Sequence, residues 1–129
     1  MDEFKPEDFY SDEGRLVLCG ASAYDEKYYL NPVFEGMPIG ILDELKIICV
    51  LYVRDVGGVF TLEFNEDGEV ETVSRCDEED ITYDHIHAGV LAGKLRAERV
   101  DLFESLSAYY KVVIMGMNPA DVLLDFDDE

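Results

Sequence analysis

Three side chains in the second half of the chain have the types and the spacing of a divalent-metal site. Asp80, Asp84 and His87 are four and then three residues apart, which on an α-helix places them on one face. Carboxylate and imidazole groups arranged in this way can hold a divalent ion. The alternative is that Asp80 caps a helix, Asp84 lies in solvent and His87 lies on the flank of the helix. No second group of ligands elsewhere in the sequence strengthens the metal hypothesis.

A second group of side chains, nearer the N-terminus, has the composition of a small-ligand site. It is rich in tyrosine, whose ring supplies rigid apolar area and whose hydroxyl supplies a polar tip. The candidate binding residues are Tyr24, Tyr28, Tyr29, Asn31 and Phe34. The alternative is that they form an outer layer of the core, with their hydroxyl groups reaching water.

The sequence predicts no catalytic residue and no cofactor. Cys19 and Cys49 lie in apolar runs that are typical of buried, inert thiols. The glycine-rich stretches lack the Lys, Ser or Thr that follows in a phosphate-binding loop, and no G-x-S-x-G or H-E-x-x-H motif occurs. These observations favour a protein that is not an enzyme.

The charge of the chain excludes two classes of partner. Ten Lys and Arg residues against thirty Asp and Glu residues give a net charge of −20. Nucleic acids and anionic membrane surfaces both require a basic protein surface, so neither is an expected partner. The longest runs without a charged residue contain nine residues, whereas a membrane-spanning helix needs about 20.

The excess of acidic residues divides the chain into a domain and two tails. Residues 1–14 and 118–129 each carry a net charge of −5, which predicts acidic tails on either side of a single domain at residues 15–117. With 129 residues, the chain is long enough for one core. The widely spaced cysteines predict reduced thiols, and the acidic N-terminal segment is unlike a secretory signal, so we expect a cytoplasmic protein.

Two hairpins and two helices are predicted to position the candidate side chains. The first hairpin comprises residues 15–22 and 28–30, and the second comprises residues 59–64 and 69–75, joined by a turn that ends at Gly68. The first helix, apolar on nearly every side, ends at Gly57 and Gly58 and is expected at the centre of the core. The second is a long helix that runs from near Asp80 through Val113, and Gly89 and Gly93 predict a kink or the close approach of another backbone in it.

The resulting order ββαββα predicts an α+β fold. Its simplest architecture is a two-layer sandwich, in which an antiparallel sheet of about four strands has both helices on one face. The other face of the sheet would then meet water or a second copy of the chain.

Four stretches carry a resemblance to a known family. They are CGASAY from Cys19, KYYLNP from Lys27, DELK from Asp43 and RDVGG from Arg54. With these stretches the sequence resembles a family of small uncharacterised proteins from clostridia-like Gram-positive bacteria, over most of residues 15–115. The resemblance implies a bacterial cytosolic protein of unknown function, and it provides no catalytic or binding residue to transfer.

The leading functional hypothesis is a non-enzymatic protein-interaction module. Such a module would either associate with itself, as in a homodimer, or dock on a basic or amphipathic surface of a protein partner. A domain that binds a small ligand or a divalent metal is the first alternative. A nucleic-acid mimic ranks last, because half of the excess charge lies in the tails instead of in regular rows on the domain.

Overall fold

The fold is α+β, as predicted. A computed structural model describes Tyr10, Ser11 and residues 14–122, so most of both predicted tails lies outside the described residues. Its elements, in chain order, are β1 (Leu16–Ser22), β2 (Lys27–Leu30), α1 (Ile39–Val56), β3 (Val59–Phe64), β4 (Val70–Arg75), α2 (His85–Glu98) and α3 (Val100–Tyr109).

The four strands form one antiparallel sheet in the order β2-β1-β3-β4. β1 is therefore central, with its hairpin partner β2 on one side and β3 on the other. Ala21 of β1 lies opposite Tyr28 of β2 and Phe60 of β3. A β-bulge interrupts the pairing of β1 and β3 between Val17 and Cys19.

The core lies between the sheet and the helices. Alternation along β3 directs Phe60, Leu62 and Phe64 to this side, and all three are buried. The ring of Phe60 stacks on Tyr52 of α1 with centroids 3.9 Å apart, and Phe64 stacks on Tyr110 at 4.2 Å. The alternating pattern of β3 thus predicts the buried face correctly.

The opposite face of the sheet is not left open at its centre. Thr61 and Glu63, on the other side of β3, are both buried, and the side chain of Glu63 is 0% exposed. The prediction that this face meets water or a second copy is wrong here, because the chain itself covers these residues. Val122, which lies within the predicted C-terminal tail, is buried as well.

Helix α1 packs on the sheet and on α2. Its buried residues are Leu45, Ile48, Cys49, Tyr52, Val53 and Val56. Ile47 and Leu51 are about half exposed, so part of the apolar surface of α1 is not covered. The helix ends where predicted, at Gly57, which adopts φ +92°. The next residue must also be glycine, because a Cβ atom at Gly58 would lie 2.3 Å from the carbonyl oxygen of Arg75.

The single long helix predicted after β4 is two helices. Arg99, with φ −118° and ψ 33°, separates α2 from α3, and a π-helical turn at Tyr110–Ile114 follows α3. The guanidinium group of Arg99 donates a hydrogen bond of 2.6 Å to Glu44 of α1. Gly89 and Gly93 have open space where a Cβ would lie, so the close approach predicted at these glycines does not occur.

Across residues 14–122, no helix combines the length and the apolar character needed to cross a lipid bilayer.

Candidate functional site

The predicted metal-binding residues lie in a turn and at a helix N-terminus. Helix α2 begins at His85, so Asp80, Asp84 and His87 do not share a helical face. Asp80 Oδ1 accepts hydrogen bonds from the backbone and the hydroxyl of Thr82, at 3.0 and 2.5 Å. Asp84 Oδ1 accepts the backbone N–H of His87 at 2.9 Å and thereby caps α2. The part of the chain that the structure describes contains no group of three His, Cys, Asp or Glu residues that could hold a metal ion.

Tyr24 connects the β1–β2 turn to the segment before α2. Its hydroxyl donates a 2.6 Å hydrogen bond to Asp80 Oδ2 and accepts one of 2.9 Å from the backbone N–H of Asp77. The bond to Asp80 raises the pKa of Tyr24, while hydrogen bonds from Thr82 and then Tyr24 lower the pKa of Asp80. These contacts give Tyr24 a structural role in joining two loops.

The other candidate ligand-binding residues do not converge on one site. Buried Asn31 donates from Nδ2 to the carbonyl oxygen of Val17 at 2.9 Å, and Phe34 packs in the core with its ring 5.5 Å from that of Phe64. Tyr28 and Tyr29 are consecutive on β2 and therefore point to opposite faces of the sheet. Of the five candidates, only Tyr28 lines the cavity between the β1–β2 hairpin and α1.

Tyr28 lies beside two buried thiols. The Sγ atoms of Cys19 and Cys49 are 3.8 Å apart, and the Tyr28 hydroxyl is buried without a hydrogen-bond partner. Burial raises the pKa of Tyr28, and the two thiols raise it further. The contact with Cys19, followed by burial, raises the pKa of Cys49 well above its usual range, so Cys49 is an inert thiol at neutral pH.

An apolar groove runs between α1 and α2, and we call it the α1–α2 groove. It encloses about 200 Å³ between Ile47 and Leu51 of α1 and Leu91 and Leu95 of α2. Its charged lining residues are Asp55, Lys94, Glu98 and Arg99. Ile47 is 54% exposed and Leu51 is 48% exposed, so both apolar side chains remain accessible to another molecule.

The exposed apolar area continues along α2. Ile86 and Val90, one helical turn apart, are 81% and 63% exposed. The sequence contains a signal for the α1 side of this surface, because α1 is apolar on nearly every side, a pattern that predicts a helix at the centre of the core. The pattern alone does not distinguish a helix covered by its own chain from one with a face open to a partner.

The family model of DUF6145, a family of unknown function, matches residues 15–118. The chain belongs to DUF6145. No curated protein and no solved structure matches it. The matched range of this DUF6145 protein contains the whole sheet and the three helices, and therefore also both walls of the α1–α2 groove.

Proposed function

We propose that this DUF6145 protein is a non-enzymatic interaction module that binds an amphipathic, cationic segment of a partner protein in the α1–α2 groove. The observation that carries the proposal is the accessible apolar lining of this groove, with Ile47 and Leu51 about half exposed. Full burial of a Leu or Ile side chain stabilises a protein or a complex by about 1.5–3 kcal/mol. Several such side chains exposed together mark an interaction surface.

The charge of the molecule favours a cationic partner over a second copy of the chain. Two copies, each with a net charge of −20, repel each other as they approach. A cationic segment is instead attracted, and its apolar side can enter the groove as an amphipathic helix does in other helix-binding proteins. Arg99 at the groove is already paired with Glu44, which leaves Asp55 and Glu98 there to meet a base on the partner.

We also propose that the protein acts in the cytoplasm of a Gram-positive bacterium. The sequence resemblance supports the bacterial origin. The state of the cysteines supports the compartment, because Cys19 and Cys49 are free thiols although their sulfur atoms are neighbours.

The experiment uses a designed peptide with leucine and lysine at helical spacing, and a scrambled peptide of identical composition. Both peptides carry the same charge, so only the helical one presents a continuous apolar face. We expect the helical peptide to bind at least about tenfold more tightly by isothermal titration calorimetry, equivalent to 1.4 kcal/mol of apolar contact. Leu51→Ser should remove most of this difference, whereas Ile81→Ser, which alters an exposed residue outside the helices, should leave it intact.

Two results contradict the proposal. Equal affinity for both peptides would mean that charge alone attracts them. A protein that light scattering finds at twice the monomer mass, and that Leu51→Ser returns to the monomer, would assign the groove to a second copy of the chain.

A further inference from the structure

A cavity of about 540 Å³ lies between the β1–β2 hairpin and α1. Its volume is within the range of about 300–1,000 Å³ that is typical of small-molecule sites. The apolar part of the lining comes from both walls and consists of Ala21, Ala23, Tyr28, Val50 and Val53. Tyr28, one of the predicted ligand-binding residues, lines this cavity.

The charge of this cavity is opposite to that of the whole molecule. Lys27, Lys46 and Arg54 line it together with a single carboxylate, that of Glu26. Three of the ten basic residues of a chain with thirty acidic residues therefore meet at one hollow. Four other cavities among the described residues each have at least as many acidic as basic residues in their lining.

Two of these cations are available for a ligand. The ion pairs within the described part of the chain involve Arg15, Arg75 and Arg99, and neither Lys46 nor Arg54 forms an ion pair or a hydrogen bond there. Substituting either of them therefore breaks no ion pair or hydrogen bond within the described fold.

The spacing of Lys46 and Arg54 defines the shape of the site. They are eight positions apart on α1, which corresponds to about 12 Å along the helix axis. Val50 lies midway between them and Val53 lies one residue before Arg54, so an apolar stretch is bounded by a cation at each end. This flank of α1 differs from the flank with Ile47 and Leu51, and the cavity is thus separate from the α1–α2 groove.

We propose that this cavity binds an organic anion with an apolar body, of the alkyl- or aryl-carboxylate class. The carboxylate pairs with Lys46 or Arg54 at one end of the apolar stretch, where an ammonium group supplies a point charge or a guanidinium group can donate two parallel hydrogen bonds. The apolar body packs against the valines of α1 and the ring of Tyr28. A neutral molecule of the same shape lacks the charged contact and binds more weakly.

The experiment is a titration of the isotope-labelled full chain with octanoate and with phenylacetate, followed by NMR. Octanamide, the neutral counterpart of octanoate, is the control ligand. We expect saturable shifts of the Ala21, Val50 and Val53 signals with the carboxylates, and an affinity for octanamide that is lower by about tenfold.

Three charge variants test the cations. Of Lys46→Gln and Arg54→Gln, the variant at the end that holds the carboxylate should weaken octanoate binding by about tenfold, and the other should weaken it less. Lys111→Gln, the matched control, removes the same charge at a position that lines neither this cavity nor the α1–α2 groove. It should change the affinity by less than about twofold, because screening limits the reach of a distant charge. Arg54→Lys retains a cation and should keep most of the affinity, which separates loss of charge from loss of structure.

Several results would overturn the proposal. These are an absence of saturable shifts with both carboxylates, equal binding of octanamide and octanoate, no loss of affinity in either Lys46→Gln or Arg54→Gln, or an equal loss of affinity in Lys111→Gln. None of them bears on the peptide-binding groove, because its lining does not include Lys46 or Arg54.

Discussion

At the scale of single residues, the sheet contains a buried polar group without a partner. The hydroxyl of Tyr28 is buried beside two thiols and has no hydrogen-bond partner within the described part of the chain. Because a buried unsatisfied hydroxyl costs about 1–3 kcal/mol, Tyr28→Phe should raise the free energy of unfolding by about 1 kcal/mol at neutral pH. Urea unfolding measures this change. Tyr52→Phe is the matched control and should lower the free energy by about 1 kcal/mol, since Tyr52 donates to the carbonyl oxygen of Ala88 at 2.9 Å.

The same hydroxyl makes the stability sensitive to alkaline pH. Burial raises its pKa in the folded protein above the ordinary value of 10.0, which applies to the unfolded chain. As the pH rises, the unfolded chain therefore loses this proton before the folded protein does. The stability that the neutral hydroxyl contributes is present in full below about pH 10 and is lost progressively above it. Tyr28→Phe should lose less stability than the parent protein between about pH 9 and pH 11. An unchanged pH dependence, together with lower stability at neutral pH, would mean that the hydroxyl has a partner.

The buried carboxylate of Glu63 depends on one cation. Its Oε2 atom accepts hydrogen bonds from Thr61 at 2.7 Å and from Arg75 at 3.1 Å, while Oε1 has no partner. Removing one partner of a buried charge leaves the other charge buried and unpaired, which is costly. Arg75→Gln should therefore lower the free energy of unfolding by about 2–3 kcal/mol. This loss is smaller than for a fully buried pair, because Arg75 itself is partly exposed. Chemical denaturation measures this change.

Arg15→Gln is the comparison for that variant. Arg15 pairs with Glu71 at 2.9 Å, but both side chains are about one-third exposed or more, and the loss should be about 0.5 kcal/mol. If Arg75→Gln and Arg15→Gln lowered the free energy of unfolding equally, the burial of Glu63 would not make its ion pair more important for stability than an exposed one.

At the scale of elements, the sequence predicts the features that interactions between residues close in the chain determine. The β3–β4 hairpin follows from alternation and from a turn whose glycine adopts φ +80°, and α1 ends at the glycines where its pattern stops. The break at Arg99 could not be predicted, because apolar residues continue at helical spacing across it. It coincides with a contact to Glu44, which is 55 residues away in the chain.

The geometry of the candidate sites depends on residues that are distant in the chain, as the break at Arg99 does, and local patterns do not indicate such contacts. Tyr28 does line a cavity, but the cations of that cavity come from α1, and no spacing within the tyrosine-rich stretch could indicate them. The metal hypothesis required a helix that already included Asp80. The N-terminus of α2 is instead set at Asp84, whose carboxylate accepts a backbone N–H of the first turn.

The cap of α2 gives a prediction at this scale. Asp84→Ala should lower the free energy of unfolding by about 1 kcal/mol, because one N–H of the first turn loses its acceptor. Asp84→Asn retains an acceptor oxygen and should stay within about 0.5 kcal/mol of the parent protein in the same urea series. If the asparagine variant were as unstable as the alanine variant, the carboxylate charge and not the hydrogen bond would stabilise the helix.

At the scale of the whole molecule, acidic residues greatly outnumber the bases available to pair with them. Among the described residues, Arg15, Arg75 and Arg99 form ion pairs, whereas Lys46 and Arg54, which line the cavity between the β1–β2 hairpin and α1, form none there. Most of the described carboxylates therefore have no basic side chain paired with them. Two consequences follow from this excess: the folded state repels itself, and a cationic molecule is attracted from a distance.

The self-repulsion predicts that salt stabilises the protein. The screening length falls from ~30 Å at 0.01 M salt to ~8 Å at 0.15 M, which weakens repulsion in the compact state more than in the expanded unfolded chain. The melting temperature should therefore rise between about 0.02 and 0.3 M sodium chloride, a salt that screens charge without the strong burial-promoting effect of sulfate. Calorimetry measures this change. A melting temperature that falls over the same range would mean that attraction between paired charges exceeds repulsion, and the proposed cationic partner would then lose its electrostatic support.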